Sequence, residues 1–368
     1  MPEGYTHVRT AHRAAKGVHY RIQYPAAFAA GANGPDSLFC FEVWKSAAKR
    51  RYDLPGLGNR MHEENTGAFL QSLLKRVSTR PQVEYALGFL AHYGTDTVMH
   101  PYVCALCQPG MPYAGPGGHG YFEIALDSTL HAEDTGSATV PAEDTSPRMH
   151  GEELADVTTL LAHCLSDAYG LDIPIEYLAD AFEDIYRLRS IFPSRYGVKK
   201  ALFTLVEPMF GGRGFITGHV SPRHLVKDLP DQWTDPFTGE QRRGNAFALL
   251  REAEKRSGIF MAGALEYWMR GITGEEFFGL LGSMSYTEGR PTPQSDPALA
   301  ARLRAEEEAR KAAEAAAPQP EPAAQPAPAP DAAQPAQAEQ PDSPAEDSPE
   351  SRESEQTDWH PGQDSPQQ

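Results

Sequence analysis

The stretch VEYALGFLAHYGTDTVMH, residues 83–100, decides the fold. Tyr85, Phe89, His92 and Asp96 recur in it at three- and four-residue intervals, which is the spacing of one face of an α-helix. The same period returns in EELADVTTLLAHCLSDAY, residues 152–169, with Gly170 placed as a helix stop. Residues 175–191 and 246–268 read the same way. No sustained alternation of apolar and polar residues marks a strand, and no hairpin signal stands out. An all-α domain over residues 1–290 is therefore expected, with Gly- and Pro-rich loops at 30–35, 109–118 and 210–222. Residues 131–147, acidic and rich in Thr and Ser, read as a surface loop.

Beyond the domain the composition changes. Residues 298–317 are rich in helix formers but lack an apolar stripe, so 291–317 reads as a charged, Ala-rich helical linker. From Pro318 to Gln368 there are 12 of the 32 prolines and eleven acidic side chains against Arg352 alone. That tail carries −10 of the net −17, leaving −7 on the preceding residues. It cannot bury enough apolar surface to offset the entropy of ordering, so it is expected to be disordered. The remaining length suffices for a sizeable core. The charge excludes a broad basic surface for nucleic acid. No stretch has the 18 or more apolar residues of a membrane helix, and no signal-peptide core opens the chain. Four cysteines make no disulfide framework. A cytoplasmic home is the expectation. The Cys104–Cys107 pair has redox and zinc readings, but without a second pair two small buried thiols explain it more simply.

The histidines carry the chemistry. His92, Asp96 and His100 stand at i, i+4 and i+8, within an arc of about 80° at 100° per residue. Imidazole and carboxylate on one helix face make a ligand set for zinc. His119 and Glu123 repeat the i, i+4 spacing just after a glycine-rich loop. Upstream lie His7 in YTH, Asp36 in NGPD and His62 in RMHEE. A core does not accept five ionisable groups on two helical faces unless something neutralises them, and divalent metal ions would.

These motifs, in this order over residues 5–286, resemble the zinc-dependent phospholipase C family, which is similar in turn to single-strand nucleases. The short, signal-less bacterial members are the nearest in pattern. The resemblance implies an all-helical fold with Zn²⁺, two to three ions here. It implies one zinc on Asp36, His62, His92 and Asp96, a second on His100, His119 and Glu123, and a third on His7 with Asp96 bridging. It also implies Asp36 as the general base for the attacking water. Secreted members complete the third zinc with an N-terminal Trp, whereas this chain has no Trp before Trp44. The implied activity is hydrolysis of a phospholipid-type phosphodiester. The alternatives are nuclease or nucleotidase action on the same scaffold, favoured by aromatic stacking platforms, and a non-catalytic metal-binding or interaction protein.

Other residues have plainer readings. Asp127 is either an acceptor orienting a zinc-bound imidazole or a surface carboxylate. His12 and His19 read as surface, His163 as a core or boundary histidine, His219 and His224 as loop surface. Trp233 reads as a packing anchor.

Overall fold

A computed structural model of the protein describes residues 4–194, 197–209, 216–220 and 225–295. Its α-helices are α1 (Gly4–Gly17), α2 (Pro25–Ala32), α3 (Leu54–Glu63), α4 (Thr66–Arg76), α5 (Arg80–Leu106), α6 (Gly118–Thr135), α7 (Gly151–Tyr169), α8 (Ile175–Ile191), α9 (Val198–Val206), α10 (Ala246–Trp268) and α11 (Gly274–Leu281). The described residues fall within one unit, Met1–Ala315. The expected linker helix, the acidic tail and His224 lie outside the described residues.

The quoted stretch sits inside α5, 27 residues long and buried on all sides. A helix with apolar residues all round is a central one. Around it pack α1, α2, α7 and α10. Pro81 opens α5 where a missing N–H costs nothing. Two hydrophobic clusters flank it. One includes Tyr85, Phe89 and Tyr93 with α1, α2, α4 and α7, and the other begins at Val98 and takes in α6 and the first half of α10. The chemistry-bearing residues 92–100 therefore stand at the seam between two apolar cores.

Helices α7 and α8 and the start of α10 follow from local signals. Gly170 closes α7 in the left-handed region at φ 66. Asn245 caps α10 by accepting from the Phe247 and Ala248 N–H groups.

Four local expectations need correction. Residues 30–35 are not a loop, because α2 runs through Ala32 and a 3₁₀ helix, Gly34–Cys40, follows. Residues 131–147 are not all surface. Helix α6 runs to Thr135, and His131, Ala142, Thr145 and Ser146 are buried. Two short strands do exist, β1 (Gln232–Thr234) and β2 (Gln241–Arg243), paired antiparallel. A hairpin of three-residue strands is too brief to show a period. Its Trp233 is the anchor foreseen, buried edge-on against Tyr102 with its indole N–H donated to the Gly244 carbonyl. Finally, His163 faces solvent on α7. The chain also continues past residue 290, since buried Thr292 bonds back to Ser283.

Candidate metal centre

Five elements converge on the seam. Helix α5 presents His92, Asp96 and His100, α1 presents His7, the 3₁₀ helix presents Asp36, α3 presents His62, and α6 presents His119 and Glu123. Close approach of α2 to α5 brings Asp36 in. A side chain on Gly31 would strike the Tyr85 carbonyl, and one on Gly88 the Phe28 carbonyl. Gly34 is more constrained still. It has φ 54, and an added Cβ would clash with the His92 ring at its Cδ2.

Two imidazoles are fixed from behind. His62 Nδ1 lies 2.8 Å from the Gly58 carbonyl and His92 Nδ1 3.1 Å from the Ala32 carbonyl. Each contact makes Nδ1 the donor and leaves Nε2 a lone pair aimed at the centre. Asp96 is the hub. Its Oδ1 lies 3.3 Å from His7 Nε2 and 3.6 Å from His100 Nε2, and its Oδ2 lies 2.9 Å from His92 Nε2 and 3.7 Å from His62 Nε2. Asp36 Oδ1 is 3.3 Å from His62 Nε2. Glu123 Oε1 is 3.0 Å from His119 Nε2 and 3.5 Å from His100 Nε2.

His119 pairs with Glu123 Oε1, but many of the other polar atoms do not pair. Both oxygens of Asp36 and of Asp96, His92 Nε2, both nitrogens of His100 and Glu123 Oε2 are buried with no hydrogen-bond partner. Buried polar atoms are ordinarily satisfied, so this concentration requires a further occupant. Three sets have ligand atoms mutually within 4.8 Å: His62, His92 and Asp96; His100, His119 and Glu123; and His7, Asp36 and His92. The donors are nitrogen and oxygen, the set that suits zinc.

The charges agree. Burial alone would raise the Asp96 carboxyl, yet the surrounding imidazoles hold it well below the usual carboxylate range. Burial would lower His100, but Asp96 and Glu123 outweigh it and lift the imidazole to about 10. Glu123 lifts His119 to about 9. His7, where burial wins, falls to about 4. Without a cation, the centre thus recruits protons to balance its carboxylates, and a metal ion would replace them.

All eight expected residues are brought together. Of them, His119 is the one that reaches solvent, with 41 % of its side chain exposed. Asp127 has neither of its expected roles. Buried, it accepts from the Tyr5 and Thr6 N–H groups and the Thr6 hydroxyl, so it anchors the first turn of α1 and thereby seats His7. His219 is not loop surface. It is half-buried, and its ring lies over Gly120 beside His119. His12 and His19 are exposed, as expected.

The sequence reading missed two neighbours. Tyr286 donates its N–H to the His62 carbonyl at 2.8 Å, and its ring stands 5.3 Å from that of His62. No local pattern announces a residue so far along the chain. Cys104, one turn beyond His100, helps to raise the His119 imidazole through its side chain. Its i+4 spacing was the available signal. Cys104 and Cys107 are half-buried thiols.

Fold and centre define a helical protein whose interior is equipped to hold metal ions. The sequence model of the family described as zinc dependent phospholipase C matches residues 6–181, and over this segment the chain is similar to that family. That segment carries all eight of the converging residues. No curated protein and no solved structure matches the chain.

Proposed function

We propose that the protein is a zinc-dependent phosphodiester hydrolase acting on phospholipid. The observation that carries this is the Asp96 carboxylate, within 3.7 Å of four imidazoles yet without a hydrogen bond. In this reading Asp36, His62, His92 and Asp96 hold one zinc ion, and His100, His119 and Glu123 hold a second. His7 serves a third site, where its proximity to both Asp36 and Asp96 supports a shared carboxylate.

Zinc, when bound, ionises water near neutrality and offsets charge building on a phosphoryl group. The chain's own residues do the rest. Asp36 lines a cleft and keeps both oxygens unpaired, so it is positioned to accept the proton of the attacking water. The Gly58 and Ala32 carbonyls keep His62 and His92 in the tautomer that offers Nε2 inward. Asp127 holds α1, and with it His7, in register.

The cleft beside Asp36 favours a lipid over a nucleic acid. Ile124, Val140, Ile185 and Leu188 give it aliphatic walls, with Phe192 the one aromatic carbocycle among its described lining residues. Base stacking would need more flat rings. We also propose a reducing compartment, on the strength of the cysteine spacing and the Cys104 and Cys107 thiols. Among the described residues no helix is long and apolar enough to cross a membrane.

The test is a panel of phospholipids, a nucleotide diester and single-stranded nucleic acid, assayed before chelation, after it, and after zinc is restored. Hydrolysis of phospholipid that vanishes with chelator and returns with zinc is expected. Turnover of nucleic acid alone would replace this reading with a nuclease, and metal without turnover on any substrate would make the chain a binding protein.

A further inference from the structure

Helix α9 is built inside out. Val198, Leu202 and Leu205 fall within an arc of about 60° at 100° per residue, and they are 72 %, 60 % and 77 % exposed. No residue of α9 is buried. The opposite side is the one that meets the domain. There the Lys200 ammonium sits 4.3 Å from the centre of the Tyr121 ring, and Phe203 stands edge-on to Phe192. Next to α9, at the end of α8, Ile191 is 49 % exposed, and the Lys199 ammonium donates to its carbonyl at 2.9 Å. A surface helix ordinarily turns its apolar stripe inward. This one turns it to solvent.

We infer that the outward face of α9 docks on the surface of a phospholipid bilayer. This rests on the phospholipid reading above and adds the partner surface to it. Three observations select lipid. First, α9 carries Lys199 and Lys200 and no acidic residue, within a stretch of chain, 1–317, that is −7 overall. The local charge thus complements anionic headgroups, and the stem of Lys199, which flanks the apolar stripe, is long enough to reach them, while Lys200 stays on the inner side against Tyr121. Second, four large apolar side chains fall short of the ~800 Å² per partner of a standard protein interface, but a shallow interfacial helix needs no more than such a stripe. Third, α9 adjoins the metal centre. It packs on the short turn Thr217–His219, and that turn lies against α6, where the His219 ring covers Gly120 beside His119. A bilayer resting on α9 therefore lies next to the edge of the centre that reaches solvent.

The test is flotation of the full chain with vesicles of mixed phosphatidylcholine and phosphatidylglycerol, comparing the wild type with Leu202→Ser/Leu205→Ser. Both leucines are exposed, so the fold is unaffected, and hydrolysis of a short-chain phospholipid kept monomeric checks this. Vesicle partition is expected to fall roughly tenfold or more, as loss of two inserted leucines requires, while turnover of the monomeric substrate stays within about twofold. Equal partition of the two proteins would overturn the inference. So would a wild-type dimer in solution that the double variant dissolves, because the face would then belong to a second copy. Wild-type flotation without cleavage of any phospholipid would support the docking face and contradict the hydrolase reading alone.

Discussion

The middle of α5 and the outer face of α9 break the same rule in opposite directions. Around the first, four buried histidines, His7, His62, His92 and His100, and the four carboxylate oxygens of Asp36 and Asp96 are enclosed by apolar packing. The second sets Val198, Leu202 and Leu205 in water. Interiors ordinarily exclude unpaired charge, and surfaces ordinarily keep large apolar side chains scattered. Neither reversal stabilises the isolated chain, so we propose that each marks a place completed from outside, by metal in one case and by lipid in the other. The difference lies in what holds the residues. Those of α5 are fixed by neighbours on every side, and those of α9 by the inner half of one short helix.

The comparison breaks most easily at Asp96. Asp96→Ala removes the group shared by all the neighbouring imidazoles, and zinc affinity should fall more than about hundredfold, beyond the loss seen when a supporting group is removed. Phospholipid turnover should fall with it. His163→Ala, on the solvent face of α7, should change neither. Equal metal loss in the two variants would sink the ligand assignment.

Metal removal comes next. Ligand present at a thousandfold above its dissociation constant stabilises by about 4 kcal/mol, so chelation should lower the Tm by roughly 10 °C in a domain of this size. Calorimetry that finds no shift would mean that the buried imidazoles and carboxylates balance themselves.

Gly34→Ala is a finer probe. The left-handed backbone costs about 1–2 kcal/mol for a residue with a side chain, and the added Cβ meets the His92 ring. Zinc content should drop by about one ion, with the set of His100, His119 and Glu123 retained. An unchanged content would show that Asp36 and His92 do not share a site. The smallest effect is expected for Asp127→Asn. Weakening this anchor should cost about 1 kcal/mol in denaturant midpoint and affect mainly the metal served by His7. Loss of the His100 set instead would contradict the role of Asp127 at α1.

Much of this was legible in the sequence because the decisive signals are local. Helices α7, α8 and α10 announce themselves by period and end residues, and i, i+4 spacing puts His92, Asp96 and His100 on one face without any tertiary information. The family pattern supplied His7, Asp36 and His62, which no local rule connects to α5. What stayed hidden depends on direction. The period of α9 contains an apolar stripe, but a sequence does not say whether a stripe faces core or solvent, and nine residues form a marginal helix by propensity alone. Asp127 was misread for a related reason. Its i+4 relation to Glu123 suggested an acceptor that orients a zinc-bound imidazole, whereas its partners are backbone N–H groups of Tyr5 and Thr6, more than a hundred residues away.

Elemental analysis of the purified 368-residue chain tests the central claim most directly. Two to three zinc ions per chain are predicted, as the three converging sets allow. Less than one zinc per chain, after purification without chelator and with zinc supplied, would contradict the account.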